Sequence, residues 1–189
     1  MKEKLLTAVR AIEDAKSLDG PVRGARAMTA RILPAGRLRD FLRGGPIGHP
    51  LHPVAVLVPA GAWISSAVLD FTPGQEKAAR TLAGVGVIAA APTALSGIAD
   101  WSGLRQKQQR VGLVHWGANL LAVGLYSASF IQRSRGNRES GKVLGLLGLS
   151  VLGVSGYLGG HLAYRQGANV AIDTEEREDA ESPSANGRS

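Results

Sequence analysis

The chain has 189 residues, a formal net charge of +7 at pH 7, and no cysteine. Without cysteine there is no disulfide, no zinc-thiolate or cysteine-ligated iron–sulfur site and no thioether attachment of haem, so any chemistry has to use histidine, carboxylates, amides and phenols. The composition passes for that of a basic soluble protein, but it averages two polar tails with a middle section from which charge is nearly absent.

Residues 1–48 read as a basic tail. In "KEKLLTAVRAIEDAKSLDG" the apolar Leu5, Val9 and Ile12 recur at helical spacing, and Gly20-Pro21 breaks the run. A second segment, "PVRGARAMTARILPAG", sets Arg23, Arg26 and Arg31 against Val22, Met28, Ile32 and Leu33, and "RLRDFLRGG" follows it. This predicts amphipathic N-terminal helices, suited either to lying on anionic lipid headgroups or to a solvated face with anchoring charges. A nucleic-acid partner is not expected, because the basic residues stand where topogenic charges belong. No continuous apolar stretch of a secretory signal precedes residue 48, so the first span is expected to direct insertion.

Next comes "GGPIGHPLHPVAVLVPAG", where Pro46, Pro50 and Pro53 surround His49 and His52. Each proline lacks an amide hydrogen and disfavours helix in the residue before it, which predicts a stiff elbow at a helix entry. Four apolar windows follow, at residues 50–69, 81–99, 111–131 and 143–163, and none contains Asp, Glu, Lys or Arg. Each approaches the roughly 20 residues that cross a hydrocarbon layer. Four in succession, joined by short charged linkers, predict an all-α integral membrane four-helix bundle over residues 49–164. Pro59 and Pro92 lie within the first two windows and predict locally freed carbonyls that neighbouring helices must satisfy.

With four spans both tails share one side with the 100–110 linker, and that side holds 16 of the 22 Lys and Arg. Counting only those near the spans leaves 8 against 6, which favours both termini inside a bacterial inner membrane. Residues 165–189 close the chain; "AIDTEEREDAESPSANGRS" is acidic and is expected to be disordered.

The topology gathers the histidines. His49 and His52 enter the first span, His115 stands near the start of the third and His161 in the last turn of the fourth, so all four lie near the tail-side face with Asp100. The intervals His52 to Asp100 and His115 to His161, 48 and 46 residues, suggest two repeated helical hairpins about an axis along the membrane normal. Asn119 follows His115 by one turn, with Ala122 and Tyr126 on the same face, and Tyr157 precedes His161 by one turn. Such neighbours can orient an imidazole.

Two chemistries fit this set. A b-type haem would use His115 and His161, with His52, Asn119 and Tyr157 beside them. A divalent metal would draw on His49, His52, Asp100, His115 and His161. Both would serve electron transfer or redox sensing; the alternative is a non-catalytic membrane anchor or scaffold, in which the histidines close the bundle. No nucleotide-binding, zinc-protease or hydrolase motif is present, and no catalytic constellation is seen.

"GHPLHP", "GIADW", "HWGANL" and "GGHLAYRQGANV" together resemble a bacterial family of small four-span membrane proteins of unknown function. With the leading "AIEDAKSLDGPVRG", the likeness over residues 8–172 is above all to the membrane module that precedes a Rieske iron–sulfur domain in fusion proteins. The resemblance implies redox company. Because this chain has no cysteine to ligate a cluster, a Rieske-type partner would act in trans.

Overall fold

The computed structural model describes residues 2–168, all of whose regular elements are helical. The C-terminal stretch expected to be acidic and disordered lies, from residue 169, outside the described residues. Three helices precede the bundle: α1 (Lys2–Asp14), α2 (Asp19–Ile32) and α3 (Arg37–Leu42). The bundle consists of α4 (His52–Ala55) continuing into α5 (Leu57–Leu69), then α6 (Glu76–Trp101), α7 (Gln106–Ser134) and α8 (Arg138–Tyr164).

Four helical stretches, with α4 and α5 counted as one, are long and apolar enough to cross a membrane. Only 22–33% of their most apolar windows is buried within the protein. Val54, Leu57, Ile64, Ile88, Leu120 and Val154 all face outward, more than half exposed. In water so much outward aliphatic surface would drive association; against lipid tails it is the ordinary boundary. The inner faces carry small residues instead: Ala79, Ala83, Ala99, Ala122, Ser129 and Ser155 have no exposed surface. Small side chains let membrane helices approach closely, where packing and interhelical hydrogen bonds replace the missing hydrophobic drive.

The two hairpins, α4–α6 and α7–α8, are related by an internal two-fold that individual contacts make explicit. His52 and His115, Trp63 and Tyr126, Ser66 and Ser129, and Asp70 and Arg133 stand 63 positions apart. Their partners on α6 and α8 stand 62 apart. Ser66 Oγ donates to the Ala79 carbonyl at 2.7 Å, and Ser129 Oγ to that of Gly141 at 2.5 Å. Trp63 lies against Gly86, and Tyr126 against Gly148, where an added Cβ would overlap either ring. The Trp63 and Tyr126 rings meet near the middle of the bundle, parallel within 2° with centroids 4.3 Å apart.

The repeat was expected, but its register differs by one residue. Asp100 corresponds to Leu162 and His161 to Ala99. Counting between polar groups misses this because neither Asp100 nor His161 belongs to the paired set of contacts.

Pro59 has the consequence its chemistry requires. It cannot donate to the Ala55 carbonyl, and Thr93 Oγ1 on α6 supplies a hydrogen bond there at 3.2 Å, sharing its proton with Ala89 O. The elbow before α4 turns through glycine more than proline. Gly44 (φ 82°) and Gly48 (φ 69°) both occupy the left-handed region, and a Cβ at Gly44 would overlap the His49 carbonyl.

The apolar stripe of α1 packs on protein at its central residue, which therefore meets neither lipid headgroups nor solvent, the two surroundings expected for it. Val9, 2% exposed, sits with Val111, Leu158 and Leu162. Charge holds the same contact: Arg110 bonds Asp19 at 2.8 Å and the Glu13 carbonyl at 2.6 Å, and Lys107 bonds Asp14 at 2.8 Å. The hydrogen bonds from Lys107 and Arg110 hold the Asp14 and Asp19 carboxyls below their ordinary range. Depressed carboxylates favour the docked helix above an unfolded value of about 3.9, and the contribution is lost as pH falls through the lowered values. Hydrogen-exchange protection of α1 is therefore expected to drop below about pH 4, before that of α5–α8.

At the far end of the axis Asp70 and Arg133 form a bidentate pair whose side chains are 7% and 6% exposed. Arg133 Nε also donates to Ser129 Oγ at 3.0 Å. Removing one member of a buried pair costs about 3–5 kcal/mol. Asp70→Asn should lower the thermal midpoint in detergent accordingly. The exchange Asp70→Arg with Arg133→Asp should recover most of the loss, because Ser66 stands at position 70's side as Ser129 stands at 133's.

Candidate functional site

His52 and His115 come from first helices of the two hairpins and meet across the two-fold, with ring centroids 6.3 Å apart and planes at 90°. Each is held from the second helix of its own hairpin. His52 Nδ1 lies 3.0 Å from the Thr93 carbonyl and His115 Nδ1 lies 2.8 Å from that of Ser155. A carbonyl only accepts, so Nδ1 carries the proton in both rings and the Nε2 lone pair is left available.

Glycine makes the close approach possible. A Cβ on Gly97 would stand 2.8 Å from His52 Cε1, and one on Gly159 would stand 3.1 Å from His115 Cε1. The four residues that hold the pair are thus two carbonyls and two glycines, at equivalent places on α6 and α8.

The two Nε2 atoms differ. Asn119 Nδ2 donates to His115 Nε2 at 3.0 Å, Ser155 Oγ donates to Asn119 Oδ1 at 2.9 Å, and the Ser155 carbonyl accepts from His115. This closes a ring of three residues, two of its links between side chains and the third to the Ser155 backbone. Among the described residues His52 Nε2 has no hydrogen-bond partner.

The other expected site residues go elsewhere. His161 Nε2 lies 2.9 Å from Glu13 Oε1, which also accepts from Gln166 Nε2 at 2.6 Å. His161 thus anchors α1, rather than standing opposite His115. Tyr157 is 39% exposed and makes no hydrogen bond among the described residues; the inward face of that turn is carried by Leu158 and Leu162. His49 is exposed on the elbow. Asp100 is buried at the end of α6 beneath Arg43, which bonds the Ala99 carbonyl and Ser102 Oγ, each at 3.0 Å. Among the described residues no three His, Cys, Asp or Glu side chains are grouped so that they could hold a metal ion.

Thr93, Ser155, Gly97 and Glu13 are not singled out by the sequence. The first three were accessible through the 62-residue offset between α6 and α8. Glu13 had no such signal, because its partner lies 148 residues away.

Gly97→Val and Gly159→Val should each destabilise the bundle by about 1–3 kcal/mol through overpacking against the imidazoles. Gly153→Ala and Gly156→Ala, where nothing lies within 4 Å of the new methyl, should leave the melting midpoint unchanged or higher. Thermal unfolding of the four variants in one detergent checks both expectations.

A family model described as "Predicted membrane protein (DUF2231)" matches residues 48–172, from the elbow through the end of the last span. No curated protein and no solved structure matches the chain. The match spans most of the chain and contains the whole histidine pair with the helices that hold it, and the protein belongs to the predicted membrane protein family DUF2231.

Proposed function

We propose that this multi-pass membrane protein is an electron-transfer or redox-sensing subunit in which His52 and His115 hold a b-type haem. The observation that carries the reading is the pair itself: two imidazoles facing across an internal two-fold, each with Nδ1 tethered to a backbone carbonyl. The two rings lie 6.3 Å apart between centroids, so both stand within reach of one group bound beside them. A carbonyl on Nδ1 is also the partner that fixes the tautomer and raises the basicity of a ligating histidine.

Haem is favoured over a bare divalent ion by donor number. Haem needs only two axial ligands from the protein, whereas a closed metal site needs three or four, and His49, Asp100 and His161 are engaged or placed elsewhere. When bound, haem would supply one-electron chemistry. His52 and His115 would set its potential through axial ligation, and Asn119 would have to release His115 Nε2. In this reading the protein sits in a bacterial inner membrane with both termini inside. A Rieske-type or other redox partner, supplied as a separate chain, would exchange electrons with it.

The His115–Asn119–Ser155 ring favours a second reading, a non-catalytic membrane scaffold in which the histidines close the bundle. One experiment separates the two: purification in mild detergent after haem-supplemented expression, followed by an absorption spectrum and metal analysis. A Soret band that is lost in His52→Ala and in His115→Ala, and kept in His161→Ala, is the expected result. Stoichiometric zinc, iron or copper without that band would move the assignment to a metal site. A colourless, metal-free preparation leaves the scaffold.

A further inference from the structure

At the opposite end of the bundle from the histidines, the turns that join α5 to α6 and α7 to α8 frame a half-open cavity of about 200 Å3. Five cationic side chains and three carboxylates line it. Its floor is the buried Asp70–Arg133 pair, which is self-neutralising. Arg138 pairs with Glu76, and Lys142 stands over the Phe71 ring at 4.3 Å from its centroid. The side chains of Lys77 and Arg80, one turn apart at the start of α6, then have neither hydrogen bond nor ion pair among the described residues.

Arg80 is half-buried, at the edge of the apolar part of its helix. A long cationic side chain at that edge snorkels to the polar boundary of the bilayer, where an anionic group can meet it. The only carboxylate of the lining not already paired is Glu139, against three cations. Both α6 and α8 begin at this end, so the positive ends of two helices add to the field at the cavity. A water occupies about 30 Å3 of liquid, so the volume admits a tetrahedral oxyanion with several waters.

We propose that this cavity binds a phosphate-type oxyanion through Lys77 and Arg80, above the neutralised Asp70–Arg133 pair. Its position at the ends of the spans makes an anionic phospholipid headgroup the first source, and free inorganic phosphate the second. The site is independent of the histidine pair and stands whatever that pair holds.

The test uses the full chain. Delipidated protein is exposed to mixed phosphatidylglycerol and phosphatidylcholine, and retained lipid is read by native mass spectrometry. The same protein in lipid-free micelles is titrated with inorganic phosphate by calorimetry. Wild type should retain phosphatidylglycerol preferentially, and Lys77→Gln with Arg80→Gln should reduce that retention about tenfold while melting as wild type. Arg135→Gln removes the same kind of charge from the neighbouring turn without touching the cavity lining, and should keep the wild-type retention. Saturable phosphate binding that the double variant loses, without a lipid preference, would support the site with the free anion as its source. Equal losses in Arg135→Gln and the double variant, or neither lipid preference nor phosphate binding in wild type, would overturn it.

Discussion

In hydrocarbon there is no water to satisfy a polar group, so the serine and threonine hydroxyls and the imidazoles turned inward from α4–α8 are stabilised by partners on another helix or on their own backbone. That constraint organises the bundle. Ser66, Ser129, Thr93 and Ser155 each donate across a helix–helix contact, and both inward histidines donate to carbonyls on the facing helix. Such bonds are worth only about 0.6 kcal/mol apiece in membranes, but they are directional. They select one register of α5 on α6 and of α7 on α8 from the many that small, apolar faces would tolerate.

Repetition of this contact set puts unlike chemistry at the two ends of one axis. At one end the related positions are both histidine; in the middle they are Trp63 and Tyr126; at the other they are Asp70 and Arg133. An acid facing a base across a two-fold neutralises itself. Two imidazoles facing each other do not, and they leave lone pairs that a shared ligand or a neighbouring amide must use. Among the described residues Asn119 meets one of those lone pairs and no group meets the other. The redox proposal therefore rests on the histidine end, while α1 closes the same end through Glu13 and Arg110.

How legible this was varies with the kind of signal. The spans stood out because charge exclusion over about 20 residues is a strong one-dimensional pattern. The helices α6, α7 and α8 run beyond their apolar windows into flanking charged residues, which snorkel or pair at the bilayer edge. The shared depth of the histidines also followed from counting spans. Depth, however, does not give rotation about the helix axis. His161 shares a membrane face with His115 but turns to α1, and Tyr157 turns outward, since a four-residue step moves about 40° around a helix.

The sequence alone determined a cysteine-free, four-span helical chain with its histidines at one level and a duplicated hairpin within it, because length, charge exclusion and spacing are properties of the chain in one dimension. Tertiary structure decided which histidines meet. His52 and His115 come together because Gly97 and Gly159 let their rings lie against α6 and α8, and because Thr93 and Ser155 present carbonyls at equivalent places. Those partners stand 41 and 40 residues away in the chain, and only packing of the helices brings them within bonding distance.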